Sequence, residues 1–461
     1  MLSLFDVVNL VVGTIVGADI YIAAAFGAGL LGPASLIAWA LAGIMAIIIA
    51  LSFAECSSLV PRAGGPYVYA KDAFGDFIGF LSGWSILLAS WSAIAVFPLA
   101  FVAYLQYFFP NMSFIMQTLI KIIFIILLTG INYIGVREAG KVNDILTFLK
   151  LAPIIILTIA GIAYLIINPS ILASNFIPFT PLGFSGLGSA LVLVFWAYVG
   201  FELVTVPSED IIDSKKTIPK AIAIGMGIVA LFYIITNFMI IGVVPWQQLS
   251  LSTAPLALAG YALLAGVGAI FITIGALLSI SGSDEAGILS SSRIPYAMAG
   301  DGLLPKMFAK KHPRYDTPYV ALIVQGVITG VAAIFGNISS LIILSVFTLL
   351  FCYITTCLAV FPLRKKYGTG IKLPSIIPVL GVIIALYMMS QCNLNQIIAG
   401  VVFIALGIPI YWKYSPKEEI RSVIKDVTSR RAILTRWILS QERFLAYFLR
   451  RLYYLIRRLR D

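Results

Sequence analysis

Twelve apolar stretches, most close to the length that spans a bilayer, leave this chain few solvents in which it can fold. They fall near residues 5–27, 34–59, 76–109, 114–134, 146–167, 185–206, 219–243, 258–292, 318–336, 339–362, 375–391 and 396–412. A helix needs about 20 predominantly apolar residues to cross ~30 Å of hydrocarbon. The runs are continuous and do not alternate at period two, which argues against a barrel. Hydrophobic residues make up 61% of the chain and charged residues 11%, against roughly 45–50% and about 25% in a soluble domain. A larger core would not absorb that surplus, because surface-to-volume scaling still demands a polar skin. The skin must face lipid. The expected fold is an all-α polytopic membrane protein with about twelve transmembrane helices.

Basic residues set the expected orientation. The connections near 28–33, 110–113, 168–184, 244–257, 337–338 and 392–395 hold no Lys or Arg. The alternate ones hold Arg62 and Lys71; Arg137 and Lys141; Lys215 and Lys216; Arg293, Lys306, Lys310, Lys311 and Arg314; and Arg364, Lys365, Lys366 and Lys372. Strict alternation is the positive-inside pattern and predicts a multi-pass protein of the cell membrane with both termini cytoplasmic. Lys121 and Lys150 break the pattern by lying within apolar segments. The start lacks the charged region of a cleaved signal peptide, and its apolar stretch runs past signal length, which predicts a permanent helix.

The formal net charge of +11 resides mostly in residues 413–461, which hold 13 Lys/Arg and 5 Asp/Glu. There Arg436, Arg443, Arg450 and Arg457 recur every seven residues opposite Leu434, Trp437, Ile438, Leu445, Phe448, Leu452, Leu455 and Leu459. This pattern predicts a basic amphipathic cytoplasmic tail lying on anionic lipids. Nucleic acid is the competing partner for such a run, disfavoured by the Trp and Leu stripe on a membrane protein.

Two segments carry glycine and acidic residues that a plain spanning helix avoids. The first reads Gly13-Thr14-Ile15-Val16-Gly17-Ala18-Asp19-Ile20-Tyr21, and the sixth reads Phe195-Trp196-Ala197-Tyr198-Val199-Gly200-Phe201-Glu202. Interrupted segments at corresponding positions of two halves point to a transport site. Unwinding frees backbone polar groups, which are tolerated at membrane depth only where a cavity or ligand satisfies them. Half-helix N-termini would favour an anionic group such as a carboxylate. Gly13 and Gly17, spaced G-x-x-x-G, could instead be a helix-packing face; the carboxylate inside each segment favours the broken-helix reading.

These motifs resemble the amino acid–polyamine–organocation transporter superfamily, over roughly residues 3–360. The stretch from Gly13 to Tyr21 is similar to its unwound first helix. Ala54-Glu55 with Pro61-Arg62-Ala63-Gly64-Gly65-Pro66-Tyr67-Val68-Tyr69 carries its most specific signature. Trp196 to Glu202, then Glu209, Pro219 and Ala221-Ile222, resembles its sixth helix and following loop; Tyr296-Ala297-Met298-Ala299 and Asp301-Gly302-Leu303-Leu304-Pro305 resemble the link after its eighth.

The resemblance implies a five-plus-five inverted repeat over 1–363, two additional helices over 364–412, and secondary transport of a small-molecule substrate by alternating access. It also implies that backbone around Gly13, Thr14, Gly17, Ala18 and Asp19 takes a substrate carboxylate. Carbonyls around Trp196, Tyr198 and Gly200 would take the amino group, with Trp196 as an aromatic lid. Lys150 matches a lysine that stands in for a structural sodium ion in sodium-independent members. With Glu202 it is the candidate for proton coupling. Asp19 departs from the pattern, which has a small residue there: it could bind a cation, carry a proton, or face away from the site.

Ionisable residues within spans are expensive, at about 3 to 10 or more kcal/mol, and read as functional. Asp19, Lys150, Glu202, Asp284 and Glu285 all qualify, the last two as possible cation ligands. A buried Lys150–carboxylate pair that only holds helices together is the plainer alternative. Glu55 and Lys121 lie nearer segment ends, where snorkelling or a loop contact is expected. The expected cargo is an amino acid carried with a proton; the alternative is a cationic amino acid or polyamine carrier or exchanger, with a receptor or channel further off. His312 is the lone histidine and no Gly-x-x-x-x-Gly-Lys-Ser/Thr loop occurs, so neither an enzyme nor an ATP-driven pump is expected. Cys56, Cys352, Cys357 and Cys392 sit in or beside apolar segments without metal-ligand spacing. They read as small buried hydrophobes; no metal or other cofactor is implied.

Overall fold

The computed structural model describes residues 2–62, 64–135, 139–205, 211–368 and 370–415, with side chains left out at 18 and 139–149. Arg137, Glu209 and the expected basic tail from 416 onward lie outside these residues, as does the side chain of Lys141. The described chain is a bundle of helices with one isolated parallel bridge between Leu2 and Ile211. Among the described residues, nine helices are long and apolar enough to cross a membrane. Three shorter apolar helices, Leu4–Ile15, Tyr319–Phe335 and Ile376–Ser390, accompany them.

The first apolar segment resolves into α1 (Leu4–Ile15) and α2 (Ala18–Leu31). It is followed by α3 (Ser35–Leu59), the short α4 (Pro66–Phe74), α5 (Asp76–Leu105), α6 (Phe114–Ile134) and α7 (Ala139–Ile167). After α8 (Pro169–Phe176), α9 (Leu187–Phe195) stops inside the sixth segment. The chain continues through α10 (Ser214–Val243), α11 (Trp246–Leu251), α12 (Pro255–Gly300), α13 (Tyr319–Phe335) and α14 (Ile338–Tyr367). It ends in α15 (Ile376–Ser390), α16 (Leu394–Ala405) and α17 (Gly407–Tyr414).

The eighth segment differs from expectation. The sequence pattern reads 258–292 as one span, whereas α12 bends sharply at Leu264 and Ala265, the latter at φ +49°. The chain doubles back there because Gly260 and Gly268 lack side chains: a Cβ on Gly260 would stand 2.7 Å from the Gly268 carbonyl oxygen.

In α6, Lys121, Phe124, Ile125, Leu128 and Asn132 form a buried stripe at helical spacing, while Ile115, Leu119, Ile123 and Ile126 are exposed. Outward apolar and inward mixed is the arrangement lipid selects. Lys121 does not snorkel: its Nζ donates to the Ala333 carbonyl at 3.2 Å, satisfying an end-of-helix acceptor on α13. All four cysteines are buried free thiols.

Ion pairs concentrate where α3, α4, α12 and α14 end. Glu55 of α3, buried, accepts from Arg364 Nε at 2.5 Å and Nη2 at 2.7 Å, and from the Leu373 N–H of the following loop. Lys366 and the Tyr367 hydroxyl both reach Asp72 of α4. Asp301, just past α12, accepts from Tyr67 at 2.7 Å and from Lys71 at 2.8 Å. Burial alone would push the Asp301 carboxyl up, yet the two hydrogen bonds and the ammonium charge hold it below the usual carboxylate range. A depressed carboxyl contributes above its unfolded pKa and is lost as pH falls through the folded value, so this tie between α4 and α12 is intact at neutral pH.

Of these contacts, Glu55–Arg364 is the one sealed from solvent on the acid's side. Removing one partner of such a pair leaves an uncompensated charge and costs about 3–5 kcal/mol. Glu55→Ala should therefore lower the thermal unfolding midpoint of the purified protein markedly, and Glu55→Leu with Arg364→Met should recover much of it. An unaltered midpoint in Glu55→Ala would mean the pair contributes nothing.

Candidate functional site

The helix of the first segment stops at Ile15, and Val16 leaves the helical region at φ −76°, ψ 100°. Gly17 is extended at φ −143°, ψ −146° before α2 begins. Any residue can adopt that conformation, so Gly17 is required for space. A Cβ there would lie 2.6 Å from the Ser283 hydroxyl oxygen of α12.

Stopping α1 inside the bundle orphans its last carbonyls. Side chains from two other helices satisfy two of them. Lys150 of α7 donates to the Gly13 carbonyl at 2.5 Å, and Tyr233 of α10 donates to the Ile15 carbonyl at 3.0 Å. Lys150 also reaches the Ser283 hydroxyl at 3.5 Å. It forms no ion pair with a carboxylate among the described residues, so the helix-holding Lys–carboxylate pair is not what this geometry contains; the lysine holds a backbone end instead.

The second break follows α9. Trp196–Tyr198 tighten into a 3-10 turn, Val199 is extended, and Gly200 takes φ +126°, a region that favours glycine. A second 3-10 turn covers Phe201–Thr205. Gly200 also lies against the other break, where a Cβ would stand 3.0 Å from the Thr14 carbonyl oxygen. Glu202 folds back so that its Oε2 accepts from the Gly200 N–H at 3.1 Å and from the Tyr353 hydroxyl of α14 at 2.9 Å.

Both breaks open onto one cavity. Gly13, Thr14 and Asp19 line it from the first break, and Trp196, Val199, Gly200, Glu202 and Leu203 from the second. Opposite them stand α5 and α12. Ala89, Ser90, Ala93, Ile94 and Phe97 come from α5, and Ser283, Ala286, Gly287 and Ser290 from α12. On α12 these are small residues at i, i+3, i+4 and i+7, one face of the helix. That spacing was a readable signal which charge and glycine patterns overshadowed. Trp196 is buried and packs against Phe97, ring centroids 6.3 Å apart.

The other residues singled out from the sequence sit elsewhere. Tyr198 turns away from the cavity and donates to the Trp39 carbonyl at 2.9 Å. Lys150 and Gly17 stand behind the wall at the first break. Asp284 is fully buried off the cavity, and neither carboxylate oxygen has a hydrogen-bond partner. Glu285, next to it, is half-buried, and its backbone carbonyl accepts from Asn132. No cluster of three metal-ligating side chains forms among the described residues. The side chain of Ala18 is not among those described.

Extra volume at Gly17 should cost about 1–3 kcal/mol by overpacking. Gly17→Ala is expected to lower the unfolding midpoint, and adding Ser283→Gly should restore most of the loss. If Gly17→Ala unfolds with the wild type, the two helices are not in the contact described.

Comparison with known proteins fits this geometry. The amino acid permease family model matches residues 2–412. The branched-chain amino acid permease BcaP of Bacillus subtilis is 28% identical over 442 residues, covering 90% of this chain and 93% of that protein. The methylthioribose transporter of the same organism is 30% identical over 446 residues, covering 91% and 94%. Its serine/threonine exchanger SteT is 27% identical over 433 residues, covering 89% and 96%.

Proposed function

The chain belongs to the amino acid permease family, and on that premise we propose that it is a proton-coupled secondary transporter moving an amino acid by alternating access. The observation that carries this reading is that two interrupted helices meet at one cavity lined by residues of both breaks. In this reading 1–363 is a five-plus-five inverted repeat, 364–412 adds two helices, and both termini lie in the cytoplasm. The basic tail beyond rests on anionic lipid.

Lys150 is the coupling residue. As an ammonium it holds the Gly13 carbonyl and so fixes the end of α1 against α7 and α12. Deprotonated, it would lose that charge-assisted bond and free α1 to move. Glu202 assists from the second break, where it ties Gly200 to Tyr353. Substrate backbone contacts come from Gly13, Thr14 and Gly200, with Trp196 closing over the cargo. The relatives' printed cargoes are branched-chain amino acids, methylthioribose, and serine with threonine. That spread leaves the side-chain preference to the walls of this cavity.

Purified protein in liposomes should accumulate a labelled amino acid when the outside is made acidic. Lys150→Ala should bind substrate yet no longer respond to the gradient. Uptake that ignores the gradient but needs amino acid inside would make the protein an exchanger and sink the symport mechanism.

A further inference from the structure

The charge of the cavity wall is one-sided. Among the described residues, Asp19 and Glu202 are its only charged side chains, and no Lys, Arg or His lines it. Their situations differ. Glu202 is occupied by the Gly200 N–H and the Tyr353 hydroxyl. Asp19 is 93% buried, at 7% exposure, faces the cavity, and takes part in no side-chain hydrogen bond or ion pair among the described residues.

Two neighbours could in principle compensate it. The α2 N-terminus, whose first turn contains Asp19, offers about half an elementary charge, which cannot balance a full carboxylate. Lys150 is close enough to interact electrostatically with Asp19, but its ammonium is directed at the Gly13 carbonyl and the Ser283 hydroxyl. A buried carboxylate aimed into a binding cavity and left unpaired calls for a cation from outside the chain.

The same placement opposes an anion. Asp19 Oδ2 lies 3.9 Å from where a Gly17 Cβ would stand, so it flanks the freed backbone of the first break. A ligand carboxylate docked there would meet a like charge at close range in a medium of low dielectric.

We propose that Asp19 is the specificity-determining residue of this cavity and binds an ammonium group of the cargo, so that the site takes substrates of net positive charge. Basic amino acids and diamines share that chemistry. The inference rests on the reading of the cavity as the transport site and narrows what passes through it. A zwitterion with an apolar side chain supplies one ammonium along with a carboxylate that the first break repels. Lysine supplies a second ammonium, and 1,5-diaminopentane, which is lysine without its carboxylate, supplies two with nothing to repel.

The test uses the full-length protein in liposomes with lysine, 1,5-diaminopentane and leucine, each as labelled cargo and as competitor. Lysine or the diamine, or both, should be carried, and leucine should compete poorly. Uptake of lysine alone identifies a basic amino acid carrier, and of the diamine alone an amine carrier. Asp19→Asn, similar in size, should weaken the cation by about 10- to 100-fold, the loss of a hydrogen bond to a charged group. Asp19→Glu should retain most of the binding. Unfolding midpoints of both variants separate lost affinity from lost fold. Proton-driven leucine uptake with lysine and the diamine excluded, or cation binding unchanged in Asp19→Asn, would overturn the role of Asp19 while leaving the transport reading standing. Failure to carry any of the three, or any amino acid of a wider panel, would remove the transport reading and this inference with it.

Discussion

The bond from Lys150 to the Gly13 carbonyl solves the problem that the rest of the centre depends on. A helix interrupted in hydrocarbon exposes acceptors that water cannot reach, and each costs several kcal/mol unless met from within the protein. At the end of α1, α7 supplies an ammonium and α10 a phenol hydroxyl. With those carbonyls satisfied, Val16 and Gly17 can leave the helix, and α2 can start again with its N-terminus directed at the cavity. Without them, continuing the helix would be the cheaper path for the backbone, and the wall of the cavity at Gly13, Thr14 and Asp19 would not exist.

Much of this was legible in the chain, for identifiable reasons. Apolar run length is dictated by bilayer thickness, so the all-helical, multi-pass character could be read directly. The two breaks were legible because glycine weakens a helix and a carboxylate in mid-span is costly, so the two together mark a place where the helix opens. Buried partnering was not. Nothing local says that Tyr353, some 150 residues beyond Glu202, would hold its carboxylate, or that Lys121 would meet an α13 carbonyl instead of snorkelling. The bend at Leu264 and Ala265 was hidden because both sides of it are equally apolar. Hydropathy records depth in the membrane and carries no information on direction. Tyr198 shows the same limit from another side: its neighbours form the cavity wall, yet its own hydroxyl goes to Trp39.

Polar groups in this protein thus sort into two regimes. At the ends of α3, α4, α12 and α14, charges meet in pairs at the bundle's rim; solvent reaches and screens the Asp301 and Asp72 contacts, while Glu55 is sealed beneath Arg364. Around the breaks, most polar side chains are committed to a backbone atom: Lys150 to Gly13, Tyr233 to Ile15, Glu202 to Gly200. These contacts fix the course of the chain, and their worth lies in where they put the backbone.

Helix α14 joins the two regimes. It carries Tyr353 against Glu202 of the second break and Arg364 at the rim, eleven residues apart, or about 16 Å along a helix. Through Tyr353 it holds the second break, and through Arg364 it holds the end of α3, which in turn packs along α9 and α10. A displacement of α14 that opened the rim would drag on the Glu202 contact, because a helix transmits axial motion almost rigidly and close-packed interfaces switch between arrangements without stretching. The buried Glu55–Arg364 pair is then more than a clamp at one end. With the Tyr353–Glu202 hydrogen bond it anchors one helix at two levels, one at the second break and one at the rim.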